Sequence, residues 1–260
     1  MRGFRAVGGL YVAGLGPTER EVFAGVVADV AQLLGAEQLG APAGAGPEAP
    51  TDAVTDPGGG DPTSALGPRM STADLPAPVD PAVRRLLPDA SRDDDGVAAE
   101  FRRLTEADLR AAKIGRLRDL WQALSGGGDH VPGLGLDDDL DLAVTRDDAP
   151  AFAAALTDVR LVLADRLGLE SEEDADRLYT SLEEQAAAEE AGWVPDDDRP
   201  AREVVAAEIR AYLGSVYAAL TWLQESLMAL LLADLGRDPG TGPGTGRDTG
   251  PGMRPDAGPE

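Results

Sequence analysis

The 260-residue chain contains no cysteine and no asparagine, one lysine (Lys113), one histidine (His130) and two isoleucines, Ile114 and Ile209. Without cysteine there is no disulfide, thiolate nucleophile, iron–sulfur cluster or thiol redox switch within the chain. A single imidazole excludes any metal site needing two and leaves one candidate for His-based general base catalysis. That histidine stands in GGGDHVPG with no nucleophile beside it, which reads as an exposed loop residue. The 22 arginines to one lysine read as a GC-rich coding bias, so a choice of Arg over Lys carries little functional weight here.

Positive charge is also scarce. Against 47 acidic side chains stand 23 basic ones, a net charge of −24, which describes a soluble acidic protein. The apolar stretch after Arg2 and Arg5 is interrupted by Gly8, Gly9, Gly14 and Gly16 before a secretory signal can form, so a cytoplasmic location is expected. From Tyr212 to Ala233 the chain is mostly apolar but carries Gln224, Glu225 and Ser226 near the middle. A central carboxylate costs about 2.5–3.5 kcal/mol on membrane insertion, so a buried core helix is expected there and no membrane partner.

Glycine and proline, by contrast, are plentiful at 32 and 20 residues. They concentrate in 36–79 and 236–260, where hydrophobic periodicity disappears and too little apolar area remains to offset the entropy of ordering. These segments read as a long disordered insert and a disordered tail. The remainder is expected to form one domain, with an N-terminal β-ribbon and helix one in 1–35 and the main helical part in 80–235. The fold class predicted is mainly α, a multi-helix domain with a small N-terminal β-ribbon.

Gly8-Gly9 supplies the positive φ that a tight hairpin turn needs. Thr18 with Glu21 predicts a capping box opening helix one, which Gly35 closes. Asp80-Pro81 opens a short helix that stops at Pro88. A second short helix is expected over 94–104, burying Val97, Phe101 and Leu104, followed by another that Thr105 and Asp108 open and that runs to Leu124. Leu136, Leu140, Leu142 and Val144 alternate with polar residues as one strand would. Thr145 with Asp148 caps a helix whose Phe152, Leu156, Val159 and Leu163 share a face. Ser171 with Asp174 starts a Glu-rich helix burying Leu178, Tyr179 and Leu182. The clearest signal is Val205, Ile209, Tyr212, Val216, Leu220, Leu223, Leu227 and Leu230, one long amphipathic helix that can bend at Gly214. Such a helix is the spine of the fold or the seam of a homodimer.

Charge is unevenly spread. Gly126 to Pro200 holds 21 acidic and 5 basic residues, a net of −16. Pro81 to Ser125 instead holds eight acidic residues and nine basic ones: Arg84, Arg85, Arg92, Arg102, Arg103, Arg110, Lys113, Arg116 and Arg118. Two readings of this island follow. Its alkyl stems pack while the charged heads reach water or pair with a neighbouring acidic helix, or 94–104 and 106–124 form a helix-turn-helix-like unit whose exposed start contacts phosphates. A pI near 4.2 opposes an electrostatically driven encounter with DNA. The island is therefore the candidate nucleic-acid or partner surface.

Other constellations carry less. Asp137, Asp139, Asp141 and Asp148 fit positions of a calcium loop, but Leu142 stands where a glycine must turn the chain. The triple aspartates at 93–95 and 196–198 suit helix caps and solvated turns. Gly242 to Gly246 has no strand before it or helix after it, and Lys113 lacks the upstream glycines of a phosphate loop. No catalytic residue, metal or cofactor is expected, although a hydrolase using clustered carboxylates is a third possibility in a chain so rich in them.

Four segments carry a family resemblance: MRGFR at Met1–Arg5, the PDA.RDD…AAEFRRLTE.DLR stretch at Pro88–Arg110, L.DVRLVLADRLG at Leu156–Gly168 and TWLQESL at Thr221–Leu227. Together they resemble the actinobacterial oxidative stress transcriptional regulator family AosR. The resemblance implies a cytoplasmic, non-enzymatic regulator that contacts an extracytoplasmic-function sigma factor or RNA polymerase, with promoter DNA as a further partner. It also implies a trigger by cysteine oxidation. This chain has no cysteine, so it is a constitutive or differently triggered relative, or sensing belongs to its partner. An interaction adaptor outside transcription, for example in protein turnover and without DNA binding, is the alternative.

Overall fold

The structure, a computed structural model, describes residues 1–37, 39, 77–91, 93–126, 141–192 and 200–236. The expected insert and tail lie almost wholly outside these residues, as do Arg92, His130, Asp137, Asp139 and the glycine-rich 242–246.

The chain opens with β1 (Arg2–Val7) and β2 (Leu10–Gly14), paired antiparallel around Gly8 and Gly9 at φ 56° and 89°. Two successive positive φ values are what a two-residue hairpin turn demands. The expected two-stranded ribbon gains a third strand, β3 (Asp141–Thr145), which pairs antiparallel with β2 and makes β2 central. Leu142 and Val144 drive this pairing because they are buried, while Leu136 and Leu140 lie outside the described residues.

Helix α1 (Pro17–Leu33) has its N-cap two residues before the expected Thr18. Gly16 is the N-cap, Pro17 occupies the first helical position that its fixed φ suits, and the Glu19 carboxylate accepts from the Gly16 N–H at 2.7 Å. Gly35 at φ 88° closes the helix as expected. Helix α2 (Pro81–Leu86) is capped by Asp80, whose Oδ1 accepts from Ala82 N–H at 2.8 Å.

Residues 94–124 are not two helices but one, α3 (Asp95–Ser125), capped by Asp94. Thr105 caps nothing, since its hydroxyl donates to the Phe101 carbonyl one turn earlier at 2.9 Å. A threonine can satisfy itself in this way inside a helix, and no glycine or proline near it interrupts the backbone ladder.

Helix α4 (Ala149–Leu167) follows β3 through a turn in which Thr145 and Asp148 bond each other, Asp148 N–H to Thr145 Oγ1 at 3.1 Å and the threonine hydroxyl to Asp148 Oδ2 at 2.7 Å. Phe152, Leu156, Val159 and Leu163 are all buried, as their spacing predicts. In α5 (Glu172–Glu190) the Ser171–Asp174 capping box forms, Leu178 is buried, and Tyr179 and Leu182 are half-buried. The Ser171 hydroxyl, the Glu170 and Ser171 N–H groups and Arg177 hold the Asp174 carboxyl down from 3.8 to about 2. Its folded pKa lies below the unfolded value, so its stabilising effect is complete above the unfolded pKa and disappears as pH falls through the folded one. Asp174→Asn is expected to remove this acid-dependent part of α5 stability, seen in far-UV circular dichroism between pH 3.8 and about 2. Equal acid sensitivity in the variant would assign the transition to other carboxylates.

Helix α6 (Ala201–Leu235) spans about 52 Å at 1.5 Å per residue. It runs antiparallel to α4, with Gln224 Nε2 donating to the Ala153 carbonyl at 3.2 Å near one end and Arg210 to the Leu167 carbonyl at 2.8 Å near the other. Val216, Leu220, Leu223 and Leu227 are buried, but Val205, Ile209 and Tyr212 on the same stripe are 52%, 54% and 50% exposed. The reason is length: α4 ends level with Arg210, so the first turns of α6 run past it. Gly214 does not break the helix; a Cβ there would lie 2.9 Å from Leu178 Cδ1, so glycine lets α5 approach closely. By length and composition α6 also meets the requirement for a membrane span, with 33% of its most apolar window buried inside the fold, which is compatible with a soluble protein.

Candidate interaction surface on helix α3

The basic island can be assessed only once the neighbours of α3 are known. Arg110 donates to the Leu34 carbonyl at 2.9 Å, and Arg20 near the start of α1 reaches the Ala123 carbonyl at 3.3 Å, so α1 and α3 are antiparallel. The half of α3 before Arg110 therefore projects past the last turn of α1.

Most of the island's cations are engaged within the fold. Arg84 donates to the Pro78 carbonyl at 2.6 Å, and Arg85 pairs with Asp165 at 3.1 Å. Arg102 pairs with Asp89, Arg103 with Glu100 at 2.6 Å and Arg110 with the buried Glu106 at 2.6 Å. Lys113 and Arg116 converge on Asp158 of α4 at 2.5 Å and 3.6 Å. Asp158 is 4% exposed and the Lys113 side chain 12%, so this pair is sealed in the α3–α4 interface, with Arg116 at its rim, 32% exposed. Arg118 is exposed, and no ion pair to it is found among the described residues. Arg92 lies outside those residues.

The expected helix-turn-helix-like unit is absent because α3 is continuous, and its presumed core residues face outward. Val97, Phe101 and Leu104 are 53%, 43% and 46% exposed. At 3.6 residues per turn they share one stripe with Asp108 beyond them, Asp94 before them and Glu100 at the flank. All three acids are exposed. Arg102, Arg110, Lys113 and Arg116 lie on the other side of the helix. The segment is nearly neutral as a string of residues, but folding sorts it into a basic inner side and an apolar, acidic outer side.

Several polar residues that organise this region escaped the sequence reading. Arg20, 7% exposed, extends toward the carbonyls of Ala123, Leu124 and Gly126 at the end of α3, where a cation suits the helix dipole. Gln224, 8% exposed, accepts from Arg160 at 2.6 Å and donates to Thr157 at 2.6 Å, tying α6 to α4. Arg20 looks like an ordinary surface residue in sequence, whereas Gln224 stands inside the apolar Tyr212–Ala233 stretch, four residues after Leu220, a local signal of burial that did not name its partners.

A cleft of about 320 Å³ between α3, β3 and α4 is lined by Arg116, Asp119, Thr145, Asp148 and Phe152, and one of about 460 Å³ between α5 and α6 by Leu178, Leu182, Glu184 and Arg210. The Arg166 guanidinium lowers the pKa of Asp80, and that of Arg103 lowers the pKa of Glu100. Neither acid, nor Asp174, lines either cleft. Among the described residues no three histidine or carboxylate side chains converge to hold a metal ion.

Three of the four resembling segments meet inside the fold. The Phe4 N–H donates to Ser226 Oγ at 2.9 Å, and Arg160 bonds Gln224, joining Met1–Arg5, Leu156–Gly168 and Thr221–Leu227. Pro88–Arg110 is the one that carries the outward apolar stripe.

The architecture defines a mainly α protein in which six helices accompany a three-stranded antiparallel sheet among the described residues. The family model described as "Domain of unknown function (DUF2017)" matches residues 1–231, and the chain belongs to that family. No curated protein and no solved structure matches the chain.

Proposed function

We propose that this protein is a non-enzymatic cytoplasmic transcriptional regulator resembling AosR, acting through contact with an extracytoplasmic-function sigma factor or RNA polymerase. One observation carries the protein-contact part of this proposal. Of the four resembling segments, Pro88–Arg110 is the one that exposes a row of large apolar side chains, Val97, Phe101 and Leu104, whereas Met1–Arg5 and Thr221–Leu227 each expose one, Met1 and Trp222. Exposed apolar side chains grouped along one helix face mark surfaces that another protein covers. Direct DNA contact is the weaker part, because most of the island's cations already neutralise carboxylates of this chain and phosphate binding would have to displace them.

The experiment is a pull-down of purified sigma factor and RNA polymerase with the full chain at low salt, with and without promoter DNA. Retention of the sigma factor or the polymerase is the expected result. Failure to enrich either one under both conditions overturns the regulator reading.

A further inference from the structure

We infer that the outer face of the α3 overhang is a docking surface for a basic amphipathic helix presented by a partner protein. The face consists of Val97, Phe101 and Leu104 at successive helical turns, with the exposed carboxylates of Asp94, Glu100 and Asp108 around them. Helix–helix recognition of this kind uses apolar anchors at i, i+4 and i+7, the spacing of these three residues. The charged rim selects the occupant: the carboxylates of Asp94 and Asp108 at the two ends of the stripe, with Glu100 at the flank already paired to Arg103 at 2.6 Å, favour arginine or lysine flanking the partner's apolar residues and disfavour a phosphate backbone. A second copy of this chain is disfavoured in the same way, since it would bring the same acidic face and the same net charge of −24. The inward cations strengthen the selection, because Arg102, Arg110 and Lys113 are held by Asp89, Glu106 and Asp158 on the other side of the helix. This inference rests on the protein-contact reading above for the partner's identity, but not for the chemistry of the face.

The test uses the full chain and a fluorescently labelled synthetic amphipathic peptide of leucine and lysine, with a leucine–glutamate peptide of equal length as control. The basic probe is expected to bind, more weakly as salt rises, and the acidic probe is expected not to. Phe101→Ser with Leu104→Ser is expected to weaken binding about tenfold, whereas Ile209→Ser, on the exposed stripe of α6, leaves it unchanged. A second variant, Glu100→Lys with Asp108→Lys, keeps the apolar stripe and is expected to shift preference toward the acidic probe. Equal binding of both probes, or undiminished affinity in the Phe101/Leu104 variant, overturns the inference. So does self-association of the wild-type chain that this variant abolishes. Pull-downs separate this inference from the regulator reading. If the wild-type chain captures neither sigma factor nor polymerase while the basic probe still binds through Phe101, the docking face stands and the regulator reading falls. If wild type and variant capture polymerase equally, the docking face falls and the regulator reading stands.

Discussion

Replacing Asp158 with alanine is expected to lower the free energy of unfolding by about 3–5 kcal/mol, the cost of stranding one side of a buried ion pair. The Asp158 side chain is 5% exposed and holds Lys113 at 2.5 Å and Arg116 at 3.6 Å, and the Lys113 side chain is itself only 12% exposed. Without the carboxylate, an ammonium group remains between α3 and α4 with no counter-charge. Urea denaturation of wild type and variant measures the loss. Lys113→Met combined with Asp158→Leu is expected to recover most of it, because a desolvated pair contributes little more than apolar residues of similar size. A single-variant loss below about 1 kcal/mol would place the pair among solvated surface bridges and contradict its burial.

Thr105→Pro is expected to destabilise the protein by about 3 kcal/mol or more, since proline inside a helix removes one backbone hydrogen bond and clashes with the carbonyl four residues earlier. In a two-helix arrangement with Thr105 as cap, the N–H at this position would have no intrahelical partner and proline would be tolerated. Circular dichroism and the thermal midpoint decide between them. The same variant is expected to abolish binding of the basic probe, because Val97, Phe101 and Leu104 align only while the first turns of α3 hold. Unchanged helicity and unchanged stability would restore the turn.

Local chemistry made much of the architecture readable. The Gly8-Gly9 turn, the Asp80 cap, the Ser171–Asp174 box and the face of α4 depend on a few adjacent residues, and each formed where the sequence placed it. The errors arose where a local signal was ambiguous. Thr105 with Asp108 has the spacing of a capping pair, but a threonine hydroxyl can bond the carbonyl behind it equally well, and the unbroken ladder favoured that outcome. The third strand was legible as a strand but not as the partner of β2, because pairing across the chain depends on distant segments meeting.

The candidate surface was half legible in the same sense. Sequence located the region, 81–125, and listed its cations, but it assigned Val97, Phe101 and Leu104 to the core on periodicity alone. Periodicity shows that a face is apolar and not whether anything covers it. Coverage depends on what packs beside each face: in the continuous α3 the stripe lies opposite the buried Leu117, Leu120 and Leu124, on the side away from α1 and α4, whereas in α6 the stripe runs on past the end of α4 beside Arg210.

Sequence by itself determined the mainly helical class, which residues share a helix face, the Asp80 and Ser171 caps, the absence of cysteine and the −24 net charge. These follow from residue type and spacing over a turn or two, which no tertiary contact alters. Only the tertiary structure decided which way the charges and the apolar stripes point. The buried Asp158 and Glu106 drew Lys113 and Arg110 inward because a buried charge is stable only beside its opposite, and Asp89 holds Arg102 on the same side. That gave a segment that is nearly neutral in sequence an acidic, apolar outer face.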